Sequence, residues 1–399
     1  MYNVLIASLE NWDTLAEMPS ILKKGGCTVD ILCSNNEWLK ANSYHRHWIE
    51  SEKEPDGYAS QLISLVQQNS YDWVILGDEP LIKLMNDKIE DEELFKKILP
   101  LTKIENRQIL SSKAGLSEFC EKHQIISPKF IVHKGSSNIN ELGTDLNFPV
   151  IIKKDLSWGG SGVMVCDNFD QLFQQVRNIS NDETVIIQEY IKGREIPVEA
   201  LFSKGELVSF TVSEILSHDK DQFSYSTRRN YFGNKGLEKM LTILGEKMGI
   251  NGFANLAYIY SSENNNYYLI EADLRPNSWM TGKHVRNVFI NGIKRIAALI
   301  SAKHRPIFTL SKNKIEVALF YKDIRRCLYS RDRKGLMRWI ANYRYWQFIP
   351  LYDRQLLVKI TNELSKEFFN NKISKLSKYK AKTFTLLRPQ TYLSFKKAA

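Results

Sequence analysis

Two stretches of the chain place groups that could do chemistry at spacings where they would act together. In "YYLIEADLRPN", Tyr267 to Asn277, Glu271 and Asp273 stand two apart at the end of an apolar run. Side chains two apart in a strand share a face, and Arg275 joins them if the strand continues. Adjacent carboxylates repel, so a strand that delivers both to one spot points to a cation there. Mg²⁺ suits, with Mn²⁺ as an admissible substitute, because it takes hard oxygen ligands from one or two carboxylates and from substrate phosphates. A solvated strand end with Arg275 pairing Asp273 would read the same way. In "FPVIIKKDLSWGGSGVMV", Phe148 to Val165, an apolar run ends in Lys153 and Lys154, and a loop with three glycines follows. Strand alternation sends the two lysines to opposite faces. The glycines either make a hairpin turn or let the loop close over whatever one lysine contacts.

A third stretch, "VIIQEYIKGREIPVEALF", runs from an apolar strand through Gln188, Glu189, Tyr190 and Ile191 to Glu195. Backbone at such a strand end can pair with a base edge, and a carboxylate a little further on can accept from ribose hydroxyls. A plain turn with flanking charges has the same letters.

The elements that must hold these groups fall into two textures. "YNVLIASL" reads as a buried strand, Asp13 to Lys24 has helical spacing, and Gly25-Gly26 precedes a second strand, "CTVDILC". A helix at "QLISLVQQ", a third strand at "YDWVILG" and further helix from "LIKLM" continue the alternation, which predicts a parallel sheet covered on both faces over 1–105. GxGxxG is missing, so a nicotinamide dinucleotide is not expected. From Ser111 strands dominate: "SPKFIVHK", then 148–153, 163–166, 184–190, 195–202 and 206–213. "FSYSTRRNYFG" reads as a basic loop carrying Arg228 and Arg229. "GLEKMLTILGEKMG" is an amphipathic helix with Gly249 suited to its C-cap, and "FANLAYIY" and "NYYLIEADL" flank the turn "SSENNN". This half predicts an α+β unit.

Composition sets the outer bounds. With 399 residues, 43% hydrophobic and 25% charged, the chain is globular and long enough for two or three packed units. No apolar window reaches membrane-span length and the first residues lack a signal-peptide pattern, so a cytoplasmic protein is expected. Five scattered cysteines without CxxC spacing predict reduced core thiols.

Taken together and in this order, the segments resemble the ATP-grasp superfamily over roughly residues 1–300. The resemblance implies an α/β plus α+β architecture. A Rossmann-like N-terminal domain (1–105) is followed by a two-lobed ATP-grasp fold, with a small lobe and glycine-rich lid (106–190) and a large lobe with the metal site (191–310). It further implies that Lys113 and Lys153 contact ATP phosphates and that Ser157, Gly159, Gly160, Ser161 and Gly162 form the lid. Gln188 to Ile191 would be the adenine hinge and Glu195 the ribose carboxylate. Glu271 and Asp273 would hold Mg²⁺, and Arg275 would contact the reacting group. The sequence departs from the family at Gln124, where a glycine is usual, at Lys154 for proline and at Asp273 for asparagine. The strand before the metal block offers only Asn255 as a third ligand. The activity implied is ATP-dependent coupling of a small carboxylate to an amine through an acylphosphate, with Arg228, Arg229 and Asn277 near the substrate. Another ATP-grasp chemistry (kinase, carboxylase or carbamoyl-phosphate type) and non-catalytic ATP binding stay open, as does a dimer.

The family does not account for 311–399, read here as a basic, mainly helical extension. It holds 21 Lys and Arg against 6 Asp and Glu, whereas the rest of the chain is net negative. Its interleaved Trp339, Tyr343, Tyr345 and Trp346 either pack on the body or meet an anionic membrane or acidic partner; nucleic acid is not the expected partner.

Overall fold

The first apolar run forms β1 (Tyr2–Ala7), and the glycine pair separates α1 (Met18–Lys24) from β2 (Cys27–Leu32). After these come α2 (Glu37–Lys40), a short β3 (His47–Ile49) that the alternation pattern misses, α3 (Pro55–Gln68), β4 (Trp73–Leu76), α4 (Glu79–Lys88) and α5 (Glu92–Ile98). The computed structural model describes residues 2–135, 146–157, 162–298, 306–308 and 314–366. Gly159, Gly160 and Ser161 of the glycine-rich loop, and residues 367–399 of the extension, lie outside these.

The first four strands form one parallel sheet in the order β3-β2-β1-β4. The chain reverses direction across the sheet between β1 and β4, and in open α/β sheets the crevice at the carboxyl ends of such strands is where ligands bind. Buried Asp78 organises this edge. Its Oδ2 accepts from Ser8 Oγ (2.9 Å) and from the amides of Leu9 (2.8 Å) and Glu10 (3.1 Å), while Oδ1 caps α4 through the Leu81 amide (2.9 Å). Glu79 is thereby fixed on the first turn of α4.

Beyond a 3₁₀ segment (Ile104–Ile109), α6 (Lys113–Lys122) leads into a four-stranded antiparallel sheet. This sheet comprises β5 (Phe130–Lys134), β6 (Val150–Lys154), β7 (Val163–Cys166) and β8 (Thr184–Glu189) in the order β5-β8-β6-β7, with α7 (Phe169–Val176) beside it. Two contacts pin the start of α6. A Cβ at Gly115 would lie 1.9 Å from the Gln108 carbonyl oxygen, so only glycine lets the helix seat there. Asp155, just past β6, accepts from the Ala114 amide (2.8 Å) and from Ser112 Oγ (3.0 Å). A carboxylate at a helix N-terminus is favoured by the aligned peptide dipoles. At the other end of α6, Gln124 has φ +56°, the left-handed region that a glycine enters without strain.

The largest sheet contains β9 (Arg194–Ser203), β10 (Glu206–His218) and β11 (Ser226–Phe232), then α8 (Gly236–Met248) intervenes before β12 (Gly252–Ser261) and β13 (Asn266–Asp273). Helix α9 (Lys283–Ala297), β14 (Ile307–Phe308), β15 (Ile315–Ala318), α10 (Phe320–Tyr329), α11 (Arg333–Ala341) and helical residues 354–366 complete the described chain. The strand order is β13-β12-β9-β10-β11-β15, with β14 also against β10. Two expectations need correction. β10 runs five residues past 213, and "STRRNYF" is a strand rather than a loop, because β10 and β15 supply hydrogen-bonding edges on both its sides. Gly249 does cap α8, at φ +77°.

Trp73 of the parallel sheet stacks on Phe253 of the large sheet with ring centroids 5.2 Å apart. Both are buried, and an aromatic side chain of this size contributes about 2–3 kcal/mol when taken from water. That core joins the two sheets and holds Glu79 against the end of β13. All five cysteines are free and buried. Among the described residues no helix is long and apolar enough to cross a membrane.

Candidate active site

A cavity of about 880 Å³ opens between the four-stranded antiparallel sheet and the large sheet. Lys113 enters from α6 and Lys153 from β6; Gln188, Glu189, Tyr190 and Ile191 follow β8; Glu195 comes from β9 and Glu271 from β13. Ser157 lines the wall as well, whereas Gly162 does not. Lys113 Nζ is held by the Ser157 carbonyl oxygen and, at 3.4 Å, by that of Asp155. Strand alternation separates the lysines as expected: Lys154 turns outward to Glu183 (2.6 Å) and Lys153 turns into the cavity. Gln188 is buried, with its side-chain amide donating to Ser117 Oγ (3.1 Å) and its backbone paired within β8 to β5 and β6. Glu189 accepts from the Asn147 side chain (3.1 Å).

Asn255 lies directly opposite Asp273 in the β12–β13 pairing, with Nδ2 3.4 Å from Asp273 Oδ2. Ala257 stands opposite Glu271 and offers no ligand. Arg275 pairs with Asp273 (3.4 Å) and with Glu79, and its guanidinium lies 5.4 Å from the centre of the Trp12 ring. Glu79 was not foreseen, because nothing within its own segment marks it; only the packing of the parallel sheet on the large sheet brings it to β13.

The charges in this region are unbalanced. Burial, reinforced by the Asp273 charge, raises the Glu271 carboxyl to about 7, although Lys113 and Lys153 act against the shift. Burial likewise raises Glu79 to about 7 against the pull of Arg275. Burial also lowers Lys153 to about 8, with Lys113 adding to the effect and Glu271 opposing it. Desolvation raises Glu195 too, and His218 Nε2 sits 3.8 Å from its carboxylate. Two carboxylates and one amide on neighbouring strands form an all-oxygen donor set whose mutual repulsion a hard divalent cation would relieve. Among the described residues no cluster of three or more His, Cys, Asp or Glu forms a metal site, so oxygens from a ligand would have to complete the shell.

Residues 110–277 match the profile of the ATP-grasp domain family. The chain carries an ATP-grasp domain. It is similar to a D-alanine–D-alanine ligase of Halalkalibacterium halodurans, 27% identical over 30% of this chain and 40% of that one. It is also similar to a phosphoribosylamine–glycine ligase of Clostridium acetobutylicum, 22% identical over 39% of this chain and 38% of that one. The matched part thus spans about two fifths of these curated relatives. The fold extends further. The structure of N5-carboxyaminoimidazole synthetase from Staphylococcus aureus, complexed with ADP, superposes with a TM-score of 0.58 at 14% identity, covering 83% of this chain and 86% of that one.

Not every expected residue faces the ATP-grasp cavity. Arg228 is buried away from it, against Asp323 (3.3 Å) and Asp332 (3.6 Å) of the C-terminal segment. Arg229 is buried on the opposite face of β11, bonded to Glu199 (2.5 Å) and Ser226 Oγ (2.8 Å) and stacked 4.3 Å from the Trp279 ring centre. Neither guanidinium is presented as a free loop cation. Asn277 caps the turn at Trp279 (2.9 Å) and approaches Glu199 (3.5 Å). Fully buried Glu199, which ties these residues together, carried no sequence signal because its strand reads as plain alternation.

Proposed function

We propose that this protein is an ATP-dependent ligase that phosphorylates a carboxylate substrate and couples the acylphosphate to an amine, releasing ADP and phosphate. The observation that carries this reading is the convergence of Lys113 from α6 and Lys153 from β6 on Glu271 from β13, across a cavity large enough for a nucleotide. Similarity to a D-alanine–D-alanine ligase and to a phosphoribosylamine–glycine ligase supports the ligase reading.

Phosphoryl transfer requires alignment and charge neutralisation more than covalent help. Lys153, buried beside the carboxylates, holds a phosphate oxygen at a site where water screens poorly. Lys113, anchored by the Asp155 and Ser157 carbonyl oxygens, positions a second oxygen. The backbone at Glu189–Ile191 presents a base edge and Glu195 accepts from ribose. Glu271 and Asp273, with Asn255 beside them, would hold Mg²⁺, which would supply neutralisation of the phosphate charge when bound. Arg275, oriented by Glu79, steadies the developing charge on the reacting group. Closure of the loop that begins at Ser157 protects an acylphosphate from hydrolysis. Buried reduced thiols suit a cytoplasmic setting.

The test is phosphate and ADP release by the purified protein against pools of carboxylates and amines. Release that needs both pools supports the ligase. Release that needs a single acceptor shifts the reading to another ATP-grasp chemistry, and ATP binding without turnover to a non-catalytic role. Glu271→Ala retaining turnover would rule out the assigned metal site.

A further inference from the structure

Exposed apolar side chains are concentrated on one part of the surface. Of the large apolar residues exposed in the described structure, the four most exposed are Leu351 (73%), Ile340 (70%), Tyr343 (68%) and Met337 (62%), all within fifteen residues of one another. Clustering of this kind is a mark of an interaction surface, whereas scattered exposed apolar residues need no explanation.

The orientation of α11 is fixed from its inner side. Asp332 caps it through the Gly335 amide (2.8 Å), and buried Trp339 donates from its indole to fully buried Asp323 (2.9 Å) and packs edge-on against Tyr345 (5.1 Å). With Trp339 turned inward, Arg333, Met337 and Ile340 follow one another at helical spacing on the outer face, flanked by Lys334 and Arg338. Tyr343 and Trp346 extend the face. Trp346 is held in place while half exposed, because its indole donates to the Trp339 carbonyl oxygen (2.7 Å).

The cations of this region divide by direction. Those toward the body are paired: Lys314 with Glu214 (2.5 Å), Lys322 with Asp13 (2.8 Å), and Arg326 with Asp323 (2.9 Å). Arg331, Arg333, Lys334 and Arg338, around the outer face, have no ion-pair partner among the described residues. Residues 367–399 continue the same sign, with eight Lys and Arg and one acidic residue.

We propose that the outer face of α11, with Tyr343, Trp346 and Leu351, is a docking surface for an anionic lipid bilayer. A bilayer accepts both halves of the face at once: acyl-chain boundary for Met337, Ile340 and Leu351, headgroup level for the tyrosine and tryptophan, and anionic headgroups for the flanking cations. An acidic polymer would use only the cations and leave the aliphatic side chains in water. A second copy of the same face would bring like charges together. The proposal stands apart from the ligase reading, since it concerns a different surface.

The experiment is sedimentation of the full-length protein with phosphatidylcholine vesicles, with and without roughly a third phosphatidylglycerol, at low and high salt. Binding to the anionic vesicles alone, weakened by salt, is expected. A Met337→Asp, Ile340→Asp double variant should bind at least about tenfold more weakly, as should Arg333→Glu with Lys334→Glu. All four positions are exposed, so unfolding midpoint and ATP binding should not change. Absence of binding to anionic vesicles overturns the proposal. So does undiminished binding by the Met337/Ile340 variant, which would leave the lysines of 367–399 as the contact. Binding to RNA or heparin with none to vesicles overturns it as well.

Discussion

Two regions of this molecule bury opposite charges together, and they do so in opposite ways. Under the C-terminal segment, Asp323 is fully buried and accepts from Thr227 Oγ1 (2.9 Å), Arg326 Nε (2.9 Å) and the Trp339 indole (2.9 Å), with Arg228 Nε at 3.3 Å. Each of these charges lies within ion-pair distance of an opposite one, although Arg228 Nε itself makes no hydrogen bond. Lining the nucleotide-sized cavity, Glu271 and Lys153 are displaced from their ordinary protonation by burial, as is Glu79, which stands outside the lining beside Arg275 with one oxygen unpartnered. A satisfied buried network holds structure together, whereas an unsatisfied one facing a cavity is arranged for something that arrives.

The comparison breaks most visibly at Asp323. Replacing it with alanine leaves Arg228 and Arg326 with only the partly exposed Asp332 as a partner, and removing one partner of a buried pair costs up to about 3–5 kcal/mol. Chemical denaturation should show that loss, while ATP turnover per folded molecule stays near wild type. Lys153→Ala should do the reverse. Loss of one electrostatic contact in a water-poor site slows phosphoryl transfer by roughly a hundred- to a thousandfold. The unfolding midpoint should not fall, because a lysine held at about 8 is already disfavoured by its burial. Lys154→Ala, which only frees the partly exposed Glu183, should leave both measurements nearly unchanged; equal effects from the two lysines would put the register of β6 in doubt.

A third effect concerns pH. Glu271 is at about 7 in the folded chain against an ordinary 4.5, so in the absence of metal its contribution to stability is complete below 4.5 and lost as pH rises through 7. If Glu271 holds a cation as proposed, binding would displace that proton. Mg²⁺ affinity should therefore fall by about tenfold for each pH unit below 7, and Mg²⁺ with ADP should raise the unfolding temperature more at pH 8 than at pH 6. Calorimetric titration across that range checks it, and Glu271→Gln should flatten the dependence.

The parts of the site legible in the sequence are those set by local periodicity. Alternation alone separated Lys153 from Lys154 and put Glu271 beside Asp273. The segment around Arg228 and Arg229 reads as a loop because its centre, "STRRN", is polar and charged, and the two charges are satisfied by Glu199 and Asp323, which lie far off in the chain. Glu79 and Glu199 were invisible for the same reason: a buried carboxylate is marked by its partner, and the partner is a tertiary fact.

Gln124 gives the smallest and most local test. It follows α6, and its φ of +56° imposes a left-handed conformation that disfavours a residue with a Cβ by roughly 1–2 kcal/mol. Glycine would remove that strain but would lose more chain entropy on folding, by roughly 0.5–1 kcal/mol. The two nearly offset, so Gln124→Gly should stabilise by about 0.5 kcal/mol, a shift of a degree or two in unfolding temperature for a chain of this size. Gln124→Val should go the other way, since a β-branched side chain tolerates positive φ least. If both variants destabilised equally, the backbone at this turn would not be left-handed, and the seat of Lys113 at the far end of the same helix would have to be reconsidered.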